Sequence, residues 1–121
     1  MSQPSGIASK PLGDAFELEV ASHYEALGYE VEHDLDINGQ QVDLLITRQL
    51  PGLGQVSYIV ECRYKSHGVV GNQEVADFAN VLSELQRQNQ VHGGIMVSSR
   101  GFSRPAKRLA QLTRIIHGGG W

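Results

Sequence analysis

Paired cysteines and long hydrophobic runs are both missing from this chain of 121 residues. Its single cysteine, Cys62, excludes an internal disulfide framework and is typical of a reducing compartment. No apolar run approaches the ~20 residues of a membrane-spanning helix, and the first residues lack the apolar stretch of a signal peptide. We therefore expect a cytoplasmic protein with no membrane partner. The hydrophobic fraction of 40% suits one globular domain of this length.

Acidic residues are absent from the last third of the chain. Residues 85–121 carry six basic side chains and no acid, although the whole chain has a formal net charge of −3. All 13 acids therefore lie within residues 1–84. Such an asymmetry favours a phosphate-facing surface, and a solvated basic helix face is the simpler alternative.

Hydrophobic spacing and turn signals predict three helices and five strands. Helices are expected over 12–27, over 73–90, and from the N-cap Ser103 to Leu112. Strands are expected over 29–35, 42–47, 55–65, 93–98 and, as a short last strand, 113–117. Asn38-Gly39 predicts a tight hairpin, and the later strand–helix–strand order predicts a parallel, right-handed crossover. The order α-β-β-β-α-β-α-(β) therefore predicts a single small α/β domain, with a mixed central sheet flanked by helices on both faces.

Two carboxylates stand where buried strands are expected. Asp43 lies inside VDLLI, and Glu61 follows the apolar residues YIV. Buried acids are usually paired or bound to a cation, and carboxylate oxygens suit Mg²⁺ or Mn²⁺. Strand alternation places Arg63 and Lys65 on the face of Glu61 and turns Cys62 towards the other, apolar face. A turn-bonding role for Asp43 and an ion-pair ladder on an edge strand for Glu61 are the alternatives.

Asp43 and the Glu61-Cys62-Arg63 segment resemble the PD-(D/E)xK nuclease superfamily and, within it, the Mrr-like restriction endonuclease domain. Four stretches are similar in the family's order: GDAFELEVASHYEALGYEVE (13–32), NGQQVDLLI (38–46), YIVECRYKSHGVVGNQEVADF (58–78) and GGIMVSSRGFSRPA (93–106). The resemblance implies a restriction-endonuclease-like catalytic domain over 11–117, between flexible termini at 1–10 and 118–121. It also implies a metal-dependent DNA endonuclease whose Mg²⁺ or Mn²⁺ is held by Asp43, Glu61 and Glu17. Glu17 has an alternative role, because Asp14-x-x-Glu17 matches a helix capping box.

The chain departs from the family pattern at the motif lysine, which is Arg63 here. Arginine contacts phosphate but cannot act as a base, since its pKa exceeds 12. We therefore predict that Lys65, two residues further along the same strand face, supplies the catalytic amine. A catalytically inactive nucleic-acid-binding or scaffolding pseudonuclease is the competing interpretation.

The DNA-binding side is predicted around the loop 98–103 and the helix that follows it. Ligand-facing loops of open sheets gather after such strands, and helix N-termini favour anions. The predicted contacts to DNA are Gln73, Ser99, Arg100, Arg104, Lys107 and Arg108. A Holliday-junction resolvase would share this site, and it would form a symmetric homodimer. Because the chain is short for target recognition, we expect specificity to come from a homodimer, a separate recognition subunit or domain, or the shape of the DNA.

Overall fold

A computed structural model describes the backbone of residues 5–119 and the side chains of residues 11–119. The elements in chain order are α1 (Ser5–Ala26), β1 (Glu30–Ile37), β2 (Gln40–Leu50), β3 (Gly54–Arg63), α2 (Asn72–Arg87), β4 (Gly93–Ser98), α3 (Arg104–Leu112) and β5 (Ile116–Gly118). The predicted element order is confirmed. Among residues 5–119, no helix combines the length and apolar character needed to cross a membrane.

The five strands form one mixed sheet in the order β1-β2-β3-β4-β5. The first three strands are antiparallel, whereas β3, β4 and β5 run parallel to one another. Asn38 and Gly39 join β1 to β2, and both have the positive φ angles, 49° and 87°, that a two-residue hairpin turn requires. The mixed sheet and the tight hairpin are therefore confirmed.

Helices cover both faces of the sheet, as predicted. On one face, Val20 and Ala21 of α1 pack against apolar strand residues that include Leu44 and Val60. On the other face, α2 and α3 pack against a second apolar set, which includes Ile59 and Met96. All six residues of β4 are buried, because this strand has a neighbour on each side and helices above and below.

Helix α2 packs closely on β4 at Gly94, the second of two glycines that begin the strand. A Cβ atom at Gly94 would lie 2.9 Å from a Leu82 methyl carbon and 3.1 Å from the Phe78 ring. A Cβ atom at Gly93 would lie 2.8 Å from the Tyr58 ring on the opposite face. Helix and sheet therefore pack at a distance that only glycine permits here.

Several predicted boundaries are wrong. Helix α1 begins at Ser5 rather than at residue 12 and contains Pro11, which keeps a helical φ and forgoes one hydrogen bond. Helix α2 ends three residues early, and the chain leaves the helix through Asn89, which has a φ of 58°. The last strand begins at Ile116, because Thr113 caps α3 and Arg114 takes a φ of 59°. The predicted flexible termini, 1–10 and 118–121, overlap α1 at residues 5–10 and β5 at Gly118. Residues 1–4 and 120–121 lie outside the described part, so their flexibility stays a prediction.

Candidate metal centre and nucleic-acid face

The site forms where β2 and β3 separate. Their ladder ends at the pair Leu44 and Val60, so the residue of β2 that precedes Leu44 has no backbone partner on β3. That residue is Asp43, and its Oδ2 accepts a hydrogen bond of 2.8 Å from the backbone N–H of Cys62. The side chain thus replaces the missing ladder contact and is held in place by it. The turn-bonding alternative for Asp43 is wrong, because Asp36 accepts the bond from the Gly39 N–H in the hairpin.

Besides Asp43 and Glu61, a third carboxylate, that of Asp34 on β1, reaches the same point. The pairs His33–Leu44 and Leu35–Val42 flank Asp34 and Asp43, which face each other without forming a regular pair. Asp34 has a φ of 47°, a left-handed conformation that aspartate tolerates better than most residues. Asp34 was not predicted from the sequence. The Asn38-Gly39 turn is the signal that could have identified it, since a two-residue hairpin fixes the register that places residue 34 opposite residue 43.

Helix α1 supplies the fourth carboxylate of the site. Glu17 precedes the buried residues Val20 and Ala21 by three and four positions, which places it on the face of α1 that meets the sheet. Oxygens of Glu17, Asp34 and Asp43 all lie within 4.8 Å of one another. The capping-box alternative for Glu17 is wrong, because α1 begins at Ser5 and Glu17 lies well inside the helix.

This cluster carries more negative charge than its surroundings can stabilise. Burial, followed by repulsion from Asp43, raises the pKa of both Glu17 and Glu61 to about 7, although Arg63 partly offsets the rise at Glu61. Burial also raises the pKa of Asp43 above its usual value, despite the opposing effects of the Cys62 N–H and Arg63. Closely spaced carboxylate oxygens without enough positive charge fit a hard divalent cation such as Mg²⁺ or Mn²⁺. The donor set therefore suits a metal centre, here called the acid cluster: Glu17, Asp34, Asp43 and Glu61.

A chain of ion pairs leads from the acid cluster to α2. Arg63 Nη2 lies 3.0 Å from Glu61 Oε2, and Arg63 Nε lies 3.9 Å from Glu74 Oε1. Lys65 Nζ lies 2.9 Å from Glu74 Oε2. Glu61 therefore pairs with a cation, as the ladder alternative predicted, but β3 is an interior strand and not an edge strand. The predicted catalytic amine, Lys65, lies two residues beyond the end of β3, so the prediction that it continues the strand face is wrong. Its ammonium group contacts Glu74 rather than Asp43 or Glu61.

Glu74 was not singled out from the sequence. It lies in the first turn of α2, where its carboxylate also accepts a bond of 3.1 Å from the Gly71 N–H. Burial alone would raise its pKa, but the bonds from Lys65 and Gly71 lower it overall. Its position three residues after Gly71 signals a helix cap, whereas its contact with Lys65 depends on tertiary structure.

The other predicted DNA contacts have partners of their own. Gln73 donates to Asp77 Oδ1 at 2.8 Å on the exposed surface of α2. Ser99 Oγ accepts a bond of 2.8 Å from the Lys65 backbone N–H, so this hydroxyl ties β4 to the end of β3. Arg100 Nε donates to the Gly68 carbonyl at 2.9 Å.

Helix α3 presents an exposed basic surface. Ser103 caps it as predicted, and its Oγ accepts a bond from the Ala106 N–H at 3.2 Å. Arg104, Lys107 and Arg108 are all exposed. Within residues 11–119, none of the three forms an ion pair with a carboxylate. This surface is therefore free to attract an anion.

Comparison with known proteins agrees with this geometry. The model of the family described as restriction endonuclease, Mrr_cat, matches residues 10–117. A crystal structure of a protein of unknown function, AF1548, shares the fold with a TM-score of 0.71 at 20% identity. The match covers 85% of this chain and 55% of that one, so this chain spans little more than half of that protein. No curated protein matches. Because the family model covers most of the sequence, this chain belongs to the Mrr-type restriction endonuclease family.

Proposed function

We propose that this domain is a metal-dependent endonuclease that hydrolyses phosphodiester bonds of DNA at the acid cluster. The observation that carries the proposal is the convergence of the Glu17, Asp34 and Asp43 oxygens within 4.8 Å, beside the half-buried Glu61. Membership of the restriction endonuclease family supports nuclease chemistry in general.

Asp43, Glu61 and Glu17 would hold Mg²⁺ or Mn²⁺, with Asp34 as a further ligand. When bound, such an ion activates water and offsets negative charge on the phosphate. The chain contributes orientation, since the Cys62 N–H fixes one oxygen of Asp43 and leaves the other for the metal. The exposed cations of α3 would bind the backbone of the DNA strand.

Lys65 is proposed as the amine that orients the attacking water or stabilises the developing charge. Its ammonium group is held by Glu74, and Glu74 also approaches Arg63. Arg63, which cannot act as a base, would contact the phosphate. In this arrangement Glu74 keeps both cations at the end of β3 before substrate arrives.

One observation favours a second candidate function, DNA binding without cleavage. The guanidinium of Arg63 lies 3.0 Å from Glu61 and competes with a metal ion for that carboxylate. If this ion pair persists when DNA is bound, Glu61 cannot serve as a full metal ligand, and the domain would bind DNA as a pseudonuclease.

The test incubates the protein with supercoiled plasmid and with a four-way junction, in Mg²⁺, Mn²⁺ or EDTA. We expect nicking with either metal, none in EDTA, and a loss of at least about 100-fold in Asp43→Asn, as for other groups essential in transition-state stabilisation. Asp36→Asn is the matched control, since Asp36 lies outside the acid cluster, and it should cleave like the wild type.

Equal nicking by the wild type and Asp43→Asn would indicate a contaminating nuclease and refute the assignment. DNA binding with no cleavage in either metal would favour the pseudonuclease. Preference for the junction, together with a dimer in sedimentation analysis, would favour the Holliday-junction resolvase. Dimerisation, a separate recognition subunit and a cytoplasmic location stay predictions.

A further inference from the structure

A surface cavity of about 570 Å³ lies beside β4 and β5, at the same edge of the sheet as the acid cluster. Its walls come from the loop after β4, the first turns of α3 and the end of β5. Ser98, the last residue of β4, lies directly beside Arg63 at the end of β3. The volume falls within the range of about 300–1,000 Å³ that small-molecule sites occupy. The cavity is therefore large enough for one nucleotide.

Two cationic side chains line the cavity and favour anions there. Arg100 and Lys107 both line it, and no carboxylate in residues 11–119 pairs with either. The bond from Arg100 Nε to the Gly68 carbonyl anchors that side chain and leaves its terminal guanidinium nitrogens for another acceptor. A phosphate group would find charged donors on two sides of the cavity.

One wall of the cavity is aromatic rather than charged. The Phe102 and His117 rings meet edge to face, with their centroids 5.3 Å apart. Phe102 is buried, His117 is half-buried, and both line the cavity. Nucleic-acid bases stack on aromatic and histidine side chains, whereas a phosphate alone gains nothing from such a wall. The cations therefore match the phosphate of a nucleotide, and the aromatic wall matches its base.

The position of the cavity relates it to the acid cluster. Neighbouring strands lie about 4.8 Å apart, so β5 is about 10 Å from β3 along this edge of the sheet. A DNA strand whose phosphate lies at the acid cluster would therefore pass the cavity within a few nucleotides. In a regular duplex the base stays inside the stack and cannot enter such a cavity, whereas an unpaired base enters at little cost.

We infer that this cavity binds one unpaired nucleotide of a DNA strand, with the base against His117 and a phosphate between Arg100 and Lys107. This inference rests on the proposed function, since it assigns to that nuclease a preference for DNA with extrahelical or single-stranded nucleotides. The cavity thus supplies a specificity element that the basic surface of α3 alone does not.

The experiment measures, in EDTA, the affinity of the protein for a duplex that contains one bulged 2-aminopurine and for the same duplex fully paired. We expect the wild type to bind the bulged duplex about tenfold more tightly, in line with the gain from stacking one base. Lys107→Gln and His117→Ala should reduce this ratio to below about twofold, because each removes one half of the nucleotide site. Arg108→Gln is the matched control, since Arg108 is the next residue of α3 and does not line the cavity. It should weaken both complexes equally and leave the ratio unchanged.

A ratio near one for the wild type would overturn the inference, and so would equal effects of Lys107→Gln and Arg108→Gln on the ratio. Thermal unfolding of each variant checks that the fold is retained.

Competition with 2′-deoxyadenosine 5′-monophosphate identifies the source of the nucleotide. Displacement only at more than about a hundredfold excess supports DNA as the ligand, whereas displacement at equal concentration assigns the cavity to free nucleotides and overturns the inference. Because binding is measured without metal, a protein that prefers the bulge but cleaves nothing would refute the proposed function alone.

Discussion

Two carboxyl groups of the acid cluster ionise near neutral pH. Burial and the nearby Asp43 raise the pKa of Glu17 and Glu61 from 4.5 to about 7. Between these values the folded protein keeps protons that the unfolded chain has already released. The free energy of unfolding therefore falls as pH rises from about 4.5 to about 7, and these groups add no further change above that range.

We expect the metal-free protein to be less stable at pH 8 than at pH 5.5. Glu61, whose side chain is 20% exposed, alone lowers the free energy of unfolding by about 2 kcal/mol. This value follows from about 1.4 kcal/mol per pH unit between pH 5.5 and the pKa of about 7. Urea unfolding in EDTA at the two pH values measures the difference. Glu61→Gln should reduce it, and Mg²⁺ should stabilise the protein most at pH 8. A free energy of unfolding that rises with pH across this window would contradict the assignment.

Glu74 holds the two cations at the end of β3. In Glu74→Gln the amide oxygen can still accept the bond from the Gly71 N–H, but the charge that attracts Lys65 and Arg63 is lost. We expect a stability loss of about 0.5–1 kcal/mol, as for other partly exposed ion pairs, and a reduction of the cleavage rate by about tenfold or more. Urea unfolding and a plasmid-nicking assay measure the two effects.

Glu84→Gln provides the control for that substitution. It removes a carboxylate from the same helix, where Glu84 pairs with Arg87 away from the acid cluster. Cleavage by Glu84→Gln should match the wild type. Equal activity of Glu74→Gln and the wild type would show that Glu74 does not position Lys65 or Arg63.

Residues of the site were predictable from sequence where their chemistry conflicts with their surroundings. Asp43 and Glu61 are acids inside apolar strands, so the pattern itself marked them. Asp34 lies among other exposed acids of β1, and only the hairpin register and its left-handed φ bring it to Asp43. The partner of Lys65 was not predictable, because Glu74 is nine residues away on another element and no local pattern relates the two.

At the scale of elements, periodicity and turn chemistry identified every helix and strand but not all of their ends. The Ser103 cap and the hairpin at Asn38-Gly39 are local hydrogen-bonding signals, and both are confirmed. The early start of α1 has no such signal. Once a helix is nucleated by its packed part, it extends through neighbouring residues at little cost, so Ser5–Lys10 become helical without an apolar pattern.

The close packing of α2 on β4 gives a prediction at this scale. Gly94→Ala should destabilise the fold by about 1–3 kcal/mol, because the new methyl group meets Leu82 and Phe78 in a packed core. Gly13→Ala is the control, since a Cβ atom at that position in α1 has no neighbour within 4 Å. It should stabilise the protein by about 0.5–1 kcal/mol through helix propensity. Urea unfolding measures both, and a neutral Gly94→Ala would show that α2 can move away from the sheet.

At the scale of the whole molecule, charge is divided between two regions with different roles. The acid cluster lies between α1 and the first three strands, whereas the acid-free segment 85–121 contributes the exposed cations of α3. A net charge of −3 therefore does not describe either surface. DNA would meet the basic surface with little opposition from the acids once a cation offsets them.

This division predicts the salt dependence of DNA binding. Each phosphate contact contributes a slope of about −0.9 to a plot of log affinity against log salt concentration. The double variant Arg104→Gln, Arg108→Gln should therefore reduce the slope by about 2. Arg48→Gln, which removes a cation stacked on Tyr29 in the first part of the sheet, should leave it unchanged. Fluorescence anisotropy over a range of salt concentrations measures these slopes, and equal slopes for the two variants would place the DNA elsewhere.

The single bond between Asp43 and the Cys62 N–H constrains where the chain can change in length. One residue inserted between Gly39 and Leu44 would break the match between the hairpin and the β2–β3 ladder and turn Asp43 to the opposite face. The loop at 51–53 closes the other end of the β2–β3 ladder, after the pair Leu50 and Gly54, so a longer loop there adds no residue between the hairpin and Asp43. Peptide tags or fluorophore-binding segments therefore belong within residues 51–53, at the end of the β2–β3 ladder far from the acid cluster.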